Sequence, residues 1–180
     1  MPHSFNEVGF HEKLFVIRHL CHGSKSLCSV HEDDIGEDWR DYRQWMKGMI
    51  SDELLAVAIK FRNLHDVLTA QLKRTELAKR DNEARKGLTI GVWHGAQSVL
   101  TVREACNKII HATDAYLDWR PVSEDAGAHD YWTGTMWLGG VKNSQEWKIE
   151  VHVDELCIAL SRIVESVEDV TSVTLYDHDE

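Results

Sequence analysis

At 180 residues, with 43% hydrophobic content and only two prolines, the chain is long enough to bury a core without covalent staples. It is also too apolar to be disordered or linker-like. A formal net charge of −10 argues against a uniformly basic surface, so any nucleic-acid role must rest on a local site or on a partner.

No apolar run approaches the roughly 20 residues that span a bilayer, and no membrane association is expected. The N-terminal "MPHSFNEVGFHEKLFV" lacks a basic flank followed by a continuous apolar core, so it is not read as a signal peptide, and the cytoplasm is the expected location. The four cysteines (Cys21, Cys28, Cys106, Cys157) would stay reduced there.

In chain order, Phe10, Leu14, Ile17 and Cys21 recur at helical spacing, predicting an amphipathic helix over 8–21 that "GSKS" (23–26) ends. Residues 37–47 predict a shorter helix striped by Trp39, Tyr42 and Trp45 or Met46, and closed by Gly48. Ser51 then stands as an N-cap, with Asp52 and Glu53 in the first turn. The longest periodic pattern follows, Leu54, Val57, Phe61, Leu64, Leu68 and Leu72, running towards Lys86 and stopped by Gly87. The basic stretch Lys73 to Lys86 is interleaved with acids and reads as a solvated helix face.

A fourth helix is predicted from about Ala96 to Thr113, followed by a loop over 119–130 marked by Pro121 and Gly127. The period then changes. Trp147, Ile149, Val151 and Val153 alternate with Lys148, Glu150 and His152, and with "YWTGTMWLGG" they predict a β-hairpin over about 131–153. Asp154 caps a last helix with Leu156, Leu160, Ile163 and Val167 inward, and "VTSVTLY" (170–176) is read as an optional third strand. The expected fold is one mainly α domain over 1–180, a bundle of four or five helices with a small antiparallel hairpin inserted.

The fourth helix carries Arg103, Asn107 and His111, each four residues from the next. At about 100° per residue they span roughly 80° and about 12 Å of axis beside the apolar face. Side chains lean towards a helix N-terminus, so Arg103 leans away from His111. A symmetric dimer crossing at this stripe would bring one copy's arginine beside the other's histidine. An imidazole can move protons to and from a ribose 2′-hydroxyl and a leaving oxygen, a guanidinium can neutralise phosphate charge, and an amide can orient either. The alternative is structural: Asn107 ties two helices, Arg103 pairs with an acid, and His111 finishes the helix.

"REACNKIIHA" (103–112) resembles the RNA-processing helix motif of the HEPN superfamily. There an Arg and a downstream His lie on one helix of an all-α bundle, often with a polar residue near the Arg. The resemblance covers one helix plus the bundle topology, about a third of the chain. It implies Arg103 and His111 as the catalytic pair, with Asn107 as the accompanying polar residue. It also implies metal-independent ribonuclease chemistry in a homodimer, with no cofactor, of a toxin or defence type. Inactive members are binding modules. The spacing departs from the family pattern, with seven residues between Arg103 and His111 where the family leaves four to six. The same helix followed by a Y-x-x-G … G-x-x-W hairpin is also similar to a group of uncharacterised bacterial and phage proteins, which implies no activity.

Other constellations are less pointed. "HLCHGSKSLCSVH" (19–31) concentrates zinc-type ligands, but only Cys28 and His31 make an acceptable pair, and adjacent Cys21 and His22 would point apart on a helix. Trp132, Trp137 and Trp147 either stack on bases or form the hidden side of the hairpin. His94 is read as a loop residue. The chain has no phosphate-binding glycine loop or nucleophile elbow. Two functions are therefore expected to compete: an RNA-binding or RNA-cleaving protein, and a non-enzymatic acidic regulator acting through a protein partner.

Overall fold

The computed structural model describes residues 5–29, 41–94, 99–123 and 129–167. Its elements are α1 (Glu7–Cys28), α2 (Tyr42–Gln71), α3 (Arg74–Ala84), β1 (Gly91–His94), α4 (Val102–His111), β2 (Asp114–Pro121), β3 (Asp130–Lys142), β4 (Gln145–His152) and α5 (Val153–Glu165). The protein is mainly α, as the periodicity predicts. The sheet, however, is larger than a small hairpin. Four antiparallel strands run in the order β1-β4-β3-β2, and the predicted hairpin is the middle of that sheet rather than an insertion. Its inner face, with Leu117, Trp132, Met136, Leu138, Ile149 and Val151 buried, shares one core with the helices. Among the described residues no helix is long and apolar enough to cross a membrane.

Several boundaries move, each for a physical reason. The "GSKS" stretch does not end the first helix, because Ser24 is buried inside it. Its hydroxyl accepts the Trp132 backbone N–H at 2.9 Å and shares a 2.8 Å hydrogen bond with the Tyr42 hydroxyl. One small polar side chain thus joins α1, α2 and β3. Burial pushes the Tyr42 hydroxyl up to about 12.

Ser24→Ala is expected to lower unfolding free energy by about 1–3 kcal/mol, because it leaves a buried backbone donor without a partner. Urea denaturation measures this, and an unchanged midpoint would contradict the assigned role.

Gly48 and Ser51 do not interrupt α2, where Tyr42, Met46, Ile50 and Leu54 are buried in one continuous stripe. A mid-helix glycine costs about 1 kcal/mol, whereas each buried aliphatic side chain contributes about 1.5–3 kcal/mol. The long pattern instead breaks at Leu72 and Lys73, both extended, which lets α3 turn back. Arg162 of α5 donates to the carbonyls of Ala84 and Lys86 and so caps α3. Gly87 follows with φ +75°.

The fourth predicted helix is shorter than expected. It starts at Val102, where the Thr101 hydroxyl accepts from Glu104 N and Asp81 accepts from Val102 N. The expected loop at 119–130 is partly strand, since Trp119, Arg120 and Pro121 pair with Trp132, Tyr131 and Asp130. Proline is tolerated because β2 is an edge strand.

The β3–β4 turn is tight, with Asn143 and Ser144 both at positive φ between the paired Lys142 and Gln145. His152, not Asp154, precedes α5 as its N-cap, and Asp154 binds Arg18 instead. The expected short third strand at 170–176 lies outside the described residues, as do Trp39 and the expected helix start at Ala96.

Candidate functional site

The α4 stripe meets a second stripe on α2, where Arg62, His65 and Asp66 border the buried Phe61, Leu64 and Leu68. Arg103 Nη1 donates to His65 Nδ1 at 2.9 Å and its Nη2 to Asp66 at 3.1 Å. At the other end Arg62 Nη1 donates to His111 Nε2 at 3.2 Å. A guanidinium has no acceptor, so in both contacts the imidazole offers a lone pair. The structure therefore brings Arg103 to His65 and Asp66, and supplies His111 with a different guanidinium, Arg62, from the same chain.

Burial and the Arg103 charge both push the His65 imidazole below its usual value. A lowered folded pKa means that the unfolded chain takes up the proton first as pH falls. Stability is therefore unaffected by His65 well above pH 6.5 and declines as pH drops through the unfolded value. Thermal unfolding between pH 7.5 and 5 is expected to show a smaller acid loss in His65→Gln, whose amide oxygen can still accept from Arg103. Identical pH slopes in the two proteins would refute the assignment.

His111 and Arg62 open onto a cleft of about 900 Å³ between α4 and the near end of the sheet. Trp93 of β1 and Trp147 of β4 form one wall, since register puts Trp93 opposite the buried Ile149 and alternation puts Trp147 on the same inner face. Gly140 makes room for it, because a Cβ there would lie 2.5 Å from the Trp147 ring. Lys108 Nζ sits 3.8 Å from the Trp147 ring centre and 4.7 Å from that of Trp93. Burial and nearby Lys142 push the Lys108 amine down, with Glu104 opposing.

Neither Lys108 nor Lys142 has an ion pair among the described residues. Glu104 and Glu146 also line the cleft. Two buried side-chain polar atoms in the described residues lack a partner, Trp93 Nε1 and Asn107 Oδ1, and both residues line this cleft. Buried polar atoms without a protein partner are few in folded proteins. The expected tie between helices through Asn107 is not made by its oxygen.

Cys28, one of the two candidate ligands, lies at the end of α1. It is buried, its Sγ donates to the Asp130 carbonyl, and burial raises its thiol. His31 lies outside the described residues. Burial also pushes the Cys21 thiol up to about 12. Among the described residues no three His, Cys, Asp or Glu side chains are grouped to hold a metal.

The three hairpin tryptophans separate. Trp132 is fully buried, Trp147 walls the cleft, and Trp137 lies on the outer face beside His94 and Lys148. His94 belongs to β1 rather than a loop.

Arg62, His65 and Trp93 were not distinguishable as site residues in the sequence. The only available signal was the polar run Arg62, His65, Asp66 beside a core stripe, and nothing local says which helix it faces. No family model, curated protein or solved structure matches the chain.

Proposed function

We propose that this protein binds single-stranded RNA in the cleft beside α4 and cleaves it without a metal cofactor. His111 moves the protons, and Arg62 neutralises the phosphate. The observation supporting this reading is the Arg62–His111 contact at the edge of a cleft that also holds two unpaired lysines and two tryptophan faces.

A bound phosphate attracts the guanidinium and frees the His111 Nε2 lone pair. That nitrogen then takes the proton of the 2′-hydroxyl as the 2′-oxygen bonds to phosphorus. The bond from phosphorus to the 5′-oxygen breaks, and the same imidazole returns the proton to that oxygen. The products are a 2′,3′-cyclic phosphate and a 5′-hydroxyl. Lys108 and Lys142 supply local positive charge that the overall −10 does not.

The resemblance of residues 103–112 to the HEPN motif supports the same activity, and a toxin- or defence-type role and a homodimer enter only through it. Because Arg62 and His111 belong to one chain, a second copy is not needed to complete the pair.

The test is incubation of purified protein with labelled single-stranded RNA in excess chelator. The expected products end in 2′,3′-cyclic phosphate. Intact RNA over a broad substrate set would end this reading.

One observation favours a second reading. Trp45, Met49, Ile59 and Val67 are exposed on α2 within about an 80° arc, on the side away from its core stripe. Such a face suits a non-enzymatic regulator that docks a protein partner. A defined partner bound one to one, lost in Trp45→Glu and Ile59→Glu with RNA uncut by any form, would favour it.

A further inference from the structure

A second cleft of about 460 Å³ lies on the far side of the Arg62–Asp66–Arg103 network. Its lining includes the Leu77–Ala78 strip of α3, half-buried to exposed, together with Arg74, Asn82, His65 and Arg103. The lining is rich in donors. Arg74 has no ion pair among the described residues. The Asn82 oxygen accepts from Arg85, and its amide N–H groups remain as donors. Arg103 is held in place by His65 and Asp66. The carboxylate present, Asp81, is bonded to Arg85 and to Val102 N. An apolar patch with donors beside it matches a planar ring that carries acceptors on its edge.

From these features we infer that the second cleft is a nucleobase subsite for the strand whose phosphate lies at Arg62 and His111. The inference rests on the function proposed above and adds a specificity element to it. Arg103 and His111 are about 12 Å apart along α4, which a single strand covers in roughly two to four nucleotides. Unstacked bases of single strands are commonly read in this way, through a hydrophobic or stacking surface and edge hydrogen bonds. The otherwise unexplained split of the α2 and α4 polar stripes into two ends then has a use: one end holds the reacting phosphate and the other a base further along.

The experiment measures binding of 2′-O-methylated oligoribonucleotides, which cannot be cut by 2′-oxygen attack, by fluorescence anisotropy. The wild-type protein is expected to bind a hexamer at least about tenfold more tightly than a dinucleotide. Moving one abasic position along the hexamer should abolish that gain at a single site. Ala78→Trp, at an exposed position, covers the apolar patch and should remove the hexamer's advantage while dinucleotide affinity stays at the wild-type value. Arg74→Glu, also exposed, should do the same and serves if the tryptophan variant does not fold.

A flat abasic scan, or full hexamer affinity in both variants, overturns the subsite and leaves the first cleft's function standing. If the wild-type protein binds neither oligonucleotide, the first cleft's function falls and the subsite with it.

Discussion

Arg62→Ala is expected to slow RNA cleavage by about 10²–10³-fold, mainly in kcat, with circular dichroism unchanged. That is the usual consequence of removing one preorganised donor from developing oxyanion charge, about 3–4 kcal/mol. The structural loss should be small, because Arg62 is only partly buried and its other contact, with Asp66, is 4.0 Å long. His111→Ala is expected to lose about 10²–10⁴-fold through the proton transfers. His111→Gln keeps an acceptor for Arg62 but cannot carry a proton, so it should be equally slow and no less stable than wild type.

Arg103→Ala separates the two possible guanidiniums. Its contacts are with His65 and Asp66, so it should raise KM more than it lowers kcat. If Arg103→Ala proves the worse variant in kcat, the guanidinium role moves from Arg62 to Arg103. Single-turnover rates with saturating protein measure the comparison directly.

The largest stability effect is expected at Trp132. It is the largest fully buried side chain, its indole N–H donates to the Thr135 carbonyl at 2.7 Å, and its backbone N–H donates to Ser24. Trp132→Ala should cost about 3–5 kcal/mol through lost burial and the cavity left behind. For a protein of this size that corresponds to roughly a 10 °C fall in Tm. Trp137→Ala, five residues along the same strand, should stay within about 1 kcal/mol, because its ring lies on the outer face against Lys148 and His94. Calorimetry of the two variants tests the sheet's orientation. Equal losses would mean that the face assignment is wrong.

That orientation was only partly legible beforehand, because Trp132, Trp137 and Trp147 were expected to share one fate, although their spacing along the strands separates them. Alternation along a strand puts Trp132, Met136 and Leu138 on one side and Trp137 on the other, and pairs Trp147 with Ile149 and Val151. Helix existence was legible for the same reason: a 3.6-residue apolar repeat such as Leu54, Val57, Phe61, Leu64 and Leu68 has few other ways to be buried. The start of α4 was written locally too. Thr101 and Glu104 have the spacing of a helix cap, a signal the expected start near Ala96 did not use. The edge strands β1 and β2 were less visible. Four residues of β1 give no countable period, and Pro121 at the end of β2 reads as loop until its place at a sheet edge is known.

Local sequence thus determined that helices and a central hairpin exist, and the polar stripe Arg103, Asn107, His111, because these follow from periods of a few residues. Tertiary structure alone decided that the helix continues through Gly48 and Ser51, that Ser24 is buried, and that Arg62 rather than Arg103 reaches His111. Each of these depends on contacts between residues far apart in the chain: Ser24 with Trp132, Arg62 with His111, Arg103 with Asp66. A side chain's spacing tells which face of its own helix it occupies. Its partner is set by how two helices cross, and that crossing comes from packing the whole core rather than from either segment.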